Sequence, residues 1–274
     1  MKLRYLGTAA AEGYPAMFCD CENCRKALKL KGKNIRSRSQ AIVDDSLLID
    51  FPCDTYYHCQ INGINLHDIR NCLITHVHKD HLYPVDFLYF KKGFSHPAPD
   101  FKLNLYGSED VEKIISELPE AVFTYLNFVK IYPFKPFKLG KYTVTALKAY
   151  HGTENPFIYA VSDGEKNMLY GHDTDIFREE TWEYMIKNKM HFDLVSLDCT
   201  EGGYEELSYH GHMCLGRNIA CRDRMIKEKL IDEKTVVVLN HFSHNGINSV
   251  YTDFLPIAAE KGFEVSYDGM EIDF

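Results

Sequence analysis

The sequence predicts an α+β protein in which two β-sheets pack face to face beneath outer helices, a four-layer αββα sandwich. Three observations predict it. Short apolar runs bounded by polar or glycine-bearing turns recur through the chain and read as buried strands. Each half carries several such runs followed by helical stretches, a pattern that suits two packed layers of sheet. Histidines and aspartates fall directly after the apolar runs, where sites form on sheets. No linker, low-complexity segment or strong repeat interrupts residues 1–274, so the chain reads as one domain.

The elements follow in order. Leu3 to Gly7 is a first strand, ending in the small-residue loop Gly7-Thr8-Ala9-Ala10-Ala11-Glu12-Gly13. A helical segment runs to about Leu30. Ala41 to Asp50 reads as a hairpin around the polar turn Asp44-Asp45-Ser46. A short helix is expected over Asp54 to Asn62 and a strand over Cys72 to Thr75. Leu82 to Phe90 reads as a helix over the site, and Lys91 to Asp100 as a loop and lid candidate. Leu103 to Gly107 is a strand. Ser108 opens the next helix, to Leu118, with Glu109 and Asp110 in its first turn. Strands follow near Val129 to Tyr132, Tyr142 to Ala149, Phe157 to Ser162 and Asn167 to Gly171. Thr174 to Met190 reads as helix. Asp193 to Leu197 and Val236 to Leu239 are buried strands, with a helix over Leu215 to Leu230 between them. Tyr251 to Lys261 is helical, before closing strands Glu264 to Tyr267 and Glu271 to Phe274.

Composition narrows the class. The chain has 274 residues, 45% hydrophobic and 26% charged, and is long enough for a sizeable core. Its formal net charge is -8, and it has no long Lys/Arg run, which argues against a large nucleic-acid footprint. A small anion held by metals stays compatible. No apolar stretch approaches the length of a membrane span. The start of the chain has no apolar leader core, and nine cysteines is an odd number. Together these lead to the expectation of reduced thiols in the cytoplasm.

The chemistry concentrates in Thr75-His76-Val77-His78-Lys79-Asp80-His81. In extended chain His76 and His78 project to one side, because side chains alternate with period two. Asp80 and His81 come after the strand, where a turn can aim them at a second cation. Three later residues follow apolar strands in the same way: His151, Asp173 and His241. The expected arrangement puts His76, His78 and His151 on one metal and Asp80, His81 and His241 on the other, with Asp173 bridging. Two divalent ions about 3.5–4 Å apart activate a water between them and polarise the bond under attack. Such a donor set accepts zinc or manganese. Cys19-x-Cys21-x-x-Cys24 has the spacing of a structural zinc, with His244 as the fourth donor. Cys53, Cys59, Cys72, Cys199, Cys214 and Cys221 read as small core residues.

His76-x-His78-x-Asp80-His81 resembles the signature of the metallo-β-lactamase fold superfamily. Ala10-Ala11-Glu12-Gly13-x-Pro15, the cysteine triplet, Gly211-His212-Met213 and His241-x-x-His244 resemble the PhnP-type (phosphoribosyl cyclic phosphate) phosphodiesterases over nearly the whole chain. The resemblance implies a binuclear active site with manganese or zinc and a separate Cys₃His zinc. It implies hydrolysis of a small phosphodiester, cyclic ones included, to a phosphomonoester, and a homodimer would fit. Asp80 and His212 carry the catalytic roles in this reading, and His210, two residues away, competes with His212 at the leaving oxygen. His172 is expected to point away from the metals, and Asp198 to orient a metal-ligand histidine. Arg36, Arg38 and Tyr14 are candidate substrate contacts.

The rival readings are a tRNA 3′-end endonuclease, a glyoxalase II-like thioester hydrolase and a non-catalytic metal-binding protein. A basic RNA-binding arm would favour the first, but none is evident. The second gives no reason for the cysteine triplet, and intact donors at every position argue against the third.

Overall fold

A computed structural model describes residues 1–274. In chain order the strands are β1 (Lys2–Gly7), β2 (Gln40–Val43), β3 (Leu47–Ile49), β4 (Asn71–Leu73), β5 (Leu103–Gly107), β6 (Leu126–Lys130), β7 (Phe137–Leu139), β8 (Tyr142–Lys148), β9 (Phe157–Ser162), β10 (Asn167–Gly171), β11 (Leu194–Asp198), β12 (Val236–Asn240), β13 (Glu264–Val265) and β14 (Glu271–Asp273). They form two sheets, ordered β14-β1-β2-β3-β4-β5-β6 and β13-β12-β11-β10-β9-β8-β7. The helices are α1 (Glu22–Leu30), α2 (Thr55–Asn62), α3 (Glu109–Ser116), α4 (Glu179–Lys187), α5 (Leu215–Lys227) and α6 (Tyr251–Glu260). No helix is long and apolar enough to cross a membrane.

The four layers follow from which face each strand residue buries. Tyr5, Val43, Ile49 and Leu73 of the first sheet share a core with Val144, Tyr159, Met168, Tyr170 and Val238 of the second. Alternate residues turn outward. Leu48, Cys72 and Leu105 pack with Val111 and Ile115 of α3. Leu169, Val195, Leu197 and Leu239 pack with Trp182 of α4, Met225 of α5 and Phe254 of α6. Strands buried on both faces read as continuous apolar runs, which is why the runs dominate the sequence.

Several boundaries differ from the sequence expectation, each for a local reason. Pro84 opens a 3₁₀ helix at Pro84–Phe90 instead of an α-helix. Residues 174–178 do not join α4, because the Asp175 N–H donates to the Tyr150 carbonyl at 3.0 Å and the Thr174 hydroxyl accepts from the Tyr150 N–H at 2.9 Å. Ser108 stands at the N-cap of α3 in extended backbone, but its hydroxyl makes no capping bond. Strand β7 was not foreseen; it is a short edge strand just after Pro136.

Direction decides where function can sit. Strands β3 to β6 run parallel, as do β10 to β12. Strand β8 is antiparallel to β9, which is antiparallel to β10, so β8 shares the direction of β10. The C-terminal ends of β8, β10, β11 and β12 therefore emerge on one rim. The residues after β4 meet that rim: the Thr75 carbonyl accepts from the Phe157 N–H at 2.9 Å, and the Ile74 carbonyl from the Tyr159 hydroxyl at 2.6 Å.

Candidate metal centre

Sharp turns follow three strands. Asp50 (φ 68°), Asp173 (φ 48°) and His241 (φ 64°) all adopt left-handed backbone. Asp and His reach that region more readily than most residues, and such conformations cluster at functional sites.

Four groups of donors result. The donor atoms of His76, His78 and His151 lie within 4.8 Å of one another, as do those of Asp80, His81, Asp173 and His241. Asp173, Asp198, His212 and His241 form an overlapping group, and Cys19, Cys21, Cys24 and His244 a separate one. Every donor expected from the sequence is thus in one of the expected sets. Asp173 spans the first two. Its Oδ1 is 3.6 Å from His151 Nε2, while its Oδ2 is 2.5 Å from His81 Nε2 and 3.0 Å from His241 Nε2.

The geometry suits cations. Asp173 Oδ2 is buried and makes no hydrogen bond, despite two imidazole nitrogens within 3.0 Å. The donor atoms converge on shared space. Nitrogen and carboxylate donors in this set match zinc or manganese chemistry.

The outer edges of the histidines are pinned. His81 Nδ1 lies 2.6 Å from Asp50 Oδ2, and Asp50 also accepts from the Thr75 N–H at 2.7 Å. His241 Nδ1 lies 2.9 Å from the Thr200 hydroxyl, and His151 Nδ1 lies 2.9 Å from the Gly211 carbonyl. Such contacts fix the tautomer and the ring orientation. Asp198 engages His212 rather than one of the expected metal ligands: its Oδ2 is 3.1 Å from His212 Nδ1 and 3.6 Å from His241 Nδ1, and its Oδ1 accepts from the Thr200 and Met213 N–H groups at 3.0 and 2.8 Å.

Burial and charge oppose each other here. Burial works against a charged His81, yet Asp173, Asp80 and Asp50 hold its pKa well above the ordinary value. Burial likewise opposes charge on His241, but Asp173 and Asp80 carry its pKa to about 10. Burial, reinforced by His81, pushes His76 well below its usual value, leaving a neutral ring with a free lone pair. For Asp80, burial is outweighed by His81 and His241, and the pKa falls. For His212, burial is outweighed by Asp198 and the pKa rises.

In the cysteine cluster, Cys19 and Cys21 Sγ lie 3.4 and 3.5 Å from His244 Nδ1. Cys21 caps α1 and accepts from the Cys24 N–H. Asn23 ties the same helix to the far loop, donating to the carbonyls of His244 and Gly246 at 2.8 and 3.1 Å.

His172 turns away from the centre, as expected, with Nε2 2.7 Å from the Ser196 hydroxyl. Two of the candidate substrate contacts, Arg36 and Tyr14, are buried in structural roles instead. Arg36 is 2% exposed and donates to the Thr8 hydroxyl and the Ser266 carbonyl. Tyr14 is buried against Ser249, and Arg38 pairs with Asp54. Cys53 is exposed, unlike the other five cysteines read as core. The Lys91 to Asp100 loop contributes Ser95, His96 and Pro97 to a mainly apolar cavity of about 810 Å³ that also includes Phe51, Phe87 and Phe101. Asp50 and Thr200 were missed in the sequence. Asp50 had a readable signal, an acid directly after an apolar strand, but Thr200 had none.

Residues 39–214 match the profile of a protein family described as anti-Pycsar protein Apyc1. The chain belongs to that family. No curated protein is similar enough in sequence to match it. Among solved structures, this Apyc1-family chain is similar to a diphosphatase of the PhnP family, with a TM-score of 0.75 at 18% identity over 100% of this chain and 96% of that one. It is also similar to Zn²⁺-bound PqqB from Methylobacterium extorquens, with a TM-score of 0.75 at 17% identity over 100% of both chains. A third, the metallo-β-lactamase fold protein YhfI from Bacillus subtilis, has a TM-score of 0.65 at 19% identity over 99% of this chain and 98% of that one. At such identities the likeness is one of fold, and the fold of this Apyc1-family member is the metallo-β-lactamase sandwich expected from its His-x-His-x-Asp-His motif.

Proposed function

We propose that this chain is a metal-dependent hydrolase that cleaves a small phosphodiester, cyclic ones included, to a phosphomonoester. The observation that carries the reading is Asp173, with one oxygen toward His151 and the other, unbonded, toward His81 and His241. His76, His78 and His151 would hold one divalent cation, and Asp80, His81 and His241 a second, with Asp173 shared. Zinc or manganese bound there supplies Lewis acidity at the phosphorus and an acidified water. Likeness to a diphosphatase of the PhnP family agrees with phosphoester chemistry.

The chain's own residues do the positioning. Asp50 and Thr200 fix His81 and His241 by their outer nitrogens. Asp198 and Thr200 engage Nδ1 of His212, so Nε2 is left to hold or give a proton at the leaving oxygen. The His212 ring stacks 5.9 Å from that of His241, which keeps it beside the donors. The Cys19, Cys21, Cys24 and His244 set suits a structural zinc that clamps α1 to the loop after β12.

The test is hydrolysis of bis(p-nitrophenyl) phosphate by manganese-loaded wild type, Asp80→Ala and His212→Ala, with a glutathione thioester as control. Diester turnover lost in Asp80→Ala and reduced about 100-fold in His212→Ala is expected. Thioester turnover without diester turnover would overturn the reading.

A further inference from the structure

Beneath the metal centre a row of polar side chains crosses the second sheet. His172 follows β10, Ser196 lies in β11 and Asn240 ends β12, and all three are buried. Asn240 Oδ1 accepts from the Ser266 hydroxyl at 2.5 Å, so its Nδ2 is the atom that faces His172 Nδ1, at 3.1 Å. An amide nitrogen can only donate, which makes Nδ1 an acceptor and puts the ring proton on Nε2. That nitrogen lies 2.7 Å from Ser196 Oγ. The Tyr5 hydroxyl, from the first sheet, reaches the same oxygen at 2.7 Å. The imidazole also packs on Tyr170, with ring centroids 4.0 Å apart. Both nitrogens and the ring of His172 are therefore held.

The place of this row gives it a role that packing does not require. Strands β10 and β12 do not pair, because β11 lies between them. The bond from Asn240 to His172 joins them directly. It does so at the residues immediately before Asp173 and His241, both of which turn in left-handed backbone, at φ 48° and 64°. Past those turns the two side chains meet, with Asp173 Oδ2 3.0 Å from His241 Nε2. An apolar side chain would fill the same volume without fixing a distance. A buried polar row with every bond made specifies one arrangement of the strands it crosses.

We infer that His172 is a positioning residue: through Asn240 it fixes the gap between the strand ends that carry Asp173 and His241, and so sets the separation of the two cations that share Asp173. The inference rests on the binuclear reading above. It assigns His172 no contact with metal or substrate.

The experiment is electron paramagnetic resonance of the manganese-loaded protein, with manganese affinities measured alongside. Two neighbouring manganese ions couple magnetically, and the coupling depends on their separation. Wild type should show a coupled pair. His172→Leu keeps the bulk but neither bond; its spectrum should shift toward uncoupled ions, and affinity for the second manganese should fall roughly tenfold, the lower end for groups that orient metal ligands. His172→Gln, whose amide can accept from Asn240 and donate to Ser196, should restore both. Asn240→Ser leaves the imidazole in place and removes the amide between the strands; it should act in the same direction as His172→Leu, and it carries the test if the leucine variant does not fold. A lowered melting temperature with an unchanged coupled spectrum, or failure of glutamine to restore the pair, would overturn the inference alone. A wild type with only uncoupled manganese would overturn the binuclear reading and the inference with it.

Discussion

The cysteine cluster and the histidine–aspartate centre are assembled in opposite ways. Cys19, Cys21 and Cys24 lie within one short stretch at the start of α1, and only His244 comes from elsewhere. The other centre takes donors from the segments after β4, β8, β10 and β12, in both sheets. The first can fasten a helix to a distant loop, and its four donors match the number a closed structural zinc site takes. The second exists only where strand ends from two sheets converge. Its His78 is exposed while His81, Asp173 and His241 are buried, so it is open to solvent on one side. A closed local set suits a clamp, whereas an open convergent set suits chemistry.

The comparison can be broken most forcefully at Cys21. Cys21→Ser should remove one metal equivalent and lower the melting temperature on the order of 10 °C, the shift expected from roughly 3 kcal/mol in a chain of this size. Turnover per folded molecule should hardly change. Calorimetric melting alongside an active-site titration checks both, and a large fall in turnover with an unchanged melting temperature would reverse the two assignments.

A smaller effect, of opposite kind, is expected at Asp50. Asp50→Asn leaves every donor in place but weakens the grip on His81 Nδ1. Affinity for one of the two active-site metals should drop about 10- to 100-fold, as for other outer partners of metal-bound histidines. The cysteine site should be untouched. A competitive chelator titration resolves the classes of ion.

The smallest effect lies at the opposite rim, where β3 and β8 begin. There the Tyr142 hydroxyl donates to Asp44 Oδ2 at 2.8 Å, and Lys141 Nζ approaches the same oxygen at 2.6 Å. Burial raises the Asp44 pKa, but Lys141, the Lys2 N–H and Tyr142 outweigh it and hold it below the ordinary carboxylate value. A depressed pKa means that the stabilisation is complete above the unfolded pKa and is lost as pH falls through the folded one. Asp44→Asn should therefore cost under about 1 kcal/mol at neutral pH, with the difference vanishing in acid below the carboxylate range. Urea unfolding of the two proteins across pH measures it.

Legibility in the sequence followed the same divide. Strands β9 and β10 coincide with their expected ranges because residues buried on both faces leave unbroken apolar runs. The donors were readable because acids and histidines after such runs are conspicuous. The groups that pin them were less so. Thr200 contacts a histidine 41 residues away, and Asp175 holds Arg217 across 42. Pairings at that separation depend on which strands are neighbours, and local patterns do not carry that information. The segment after Asp173 also misled, since its helical pattern from Thr174 yields to hydrogen bonds with Tyr150 before α4 begins. Arg36, a candidate substrate contact in the sequence, has its guanidinium 4.2 Å from the Phe242 ring centroid in the interior, a placement no local pattern carries.

The central claim is that one chain holds two kinds of metal site, and counting ions tests it most directly. Native mass spectrometry of the zinc- or manganese-loaded protein should find three ions in wild type and two in Cys21→Ser. Asp173→Ala should retain the cysteine-bound ion and lose the other two together, with activity down about a thousandfold or more. A wild type with a single ion, or an Asp173→Ala protein that still carries three, would contradict the account.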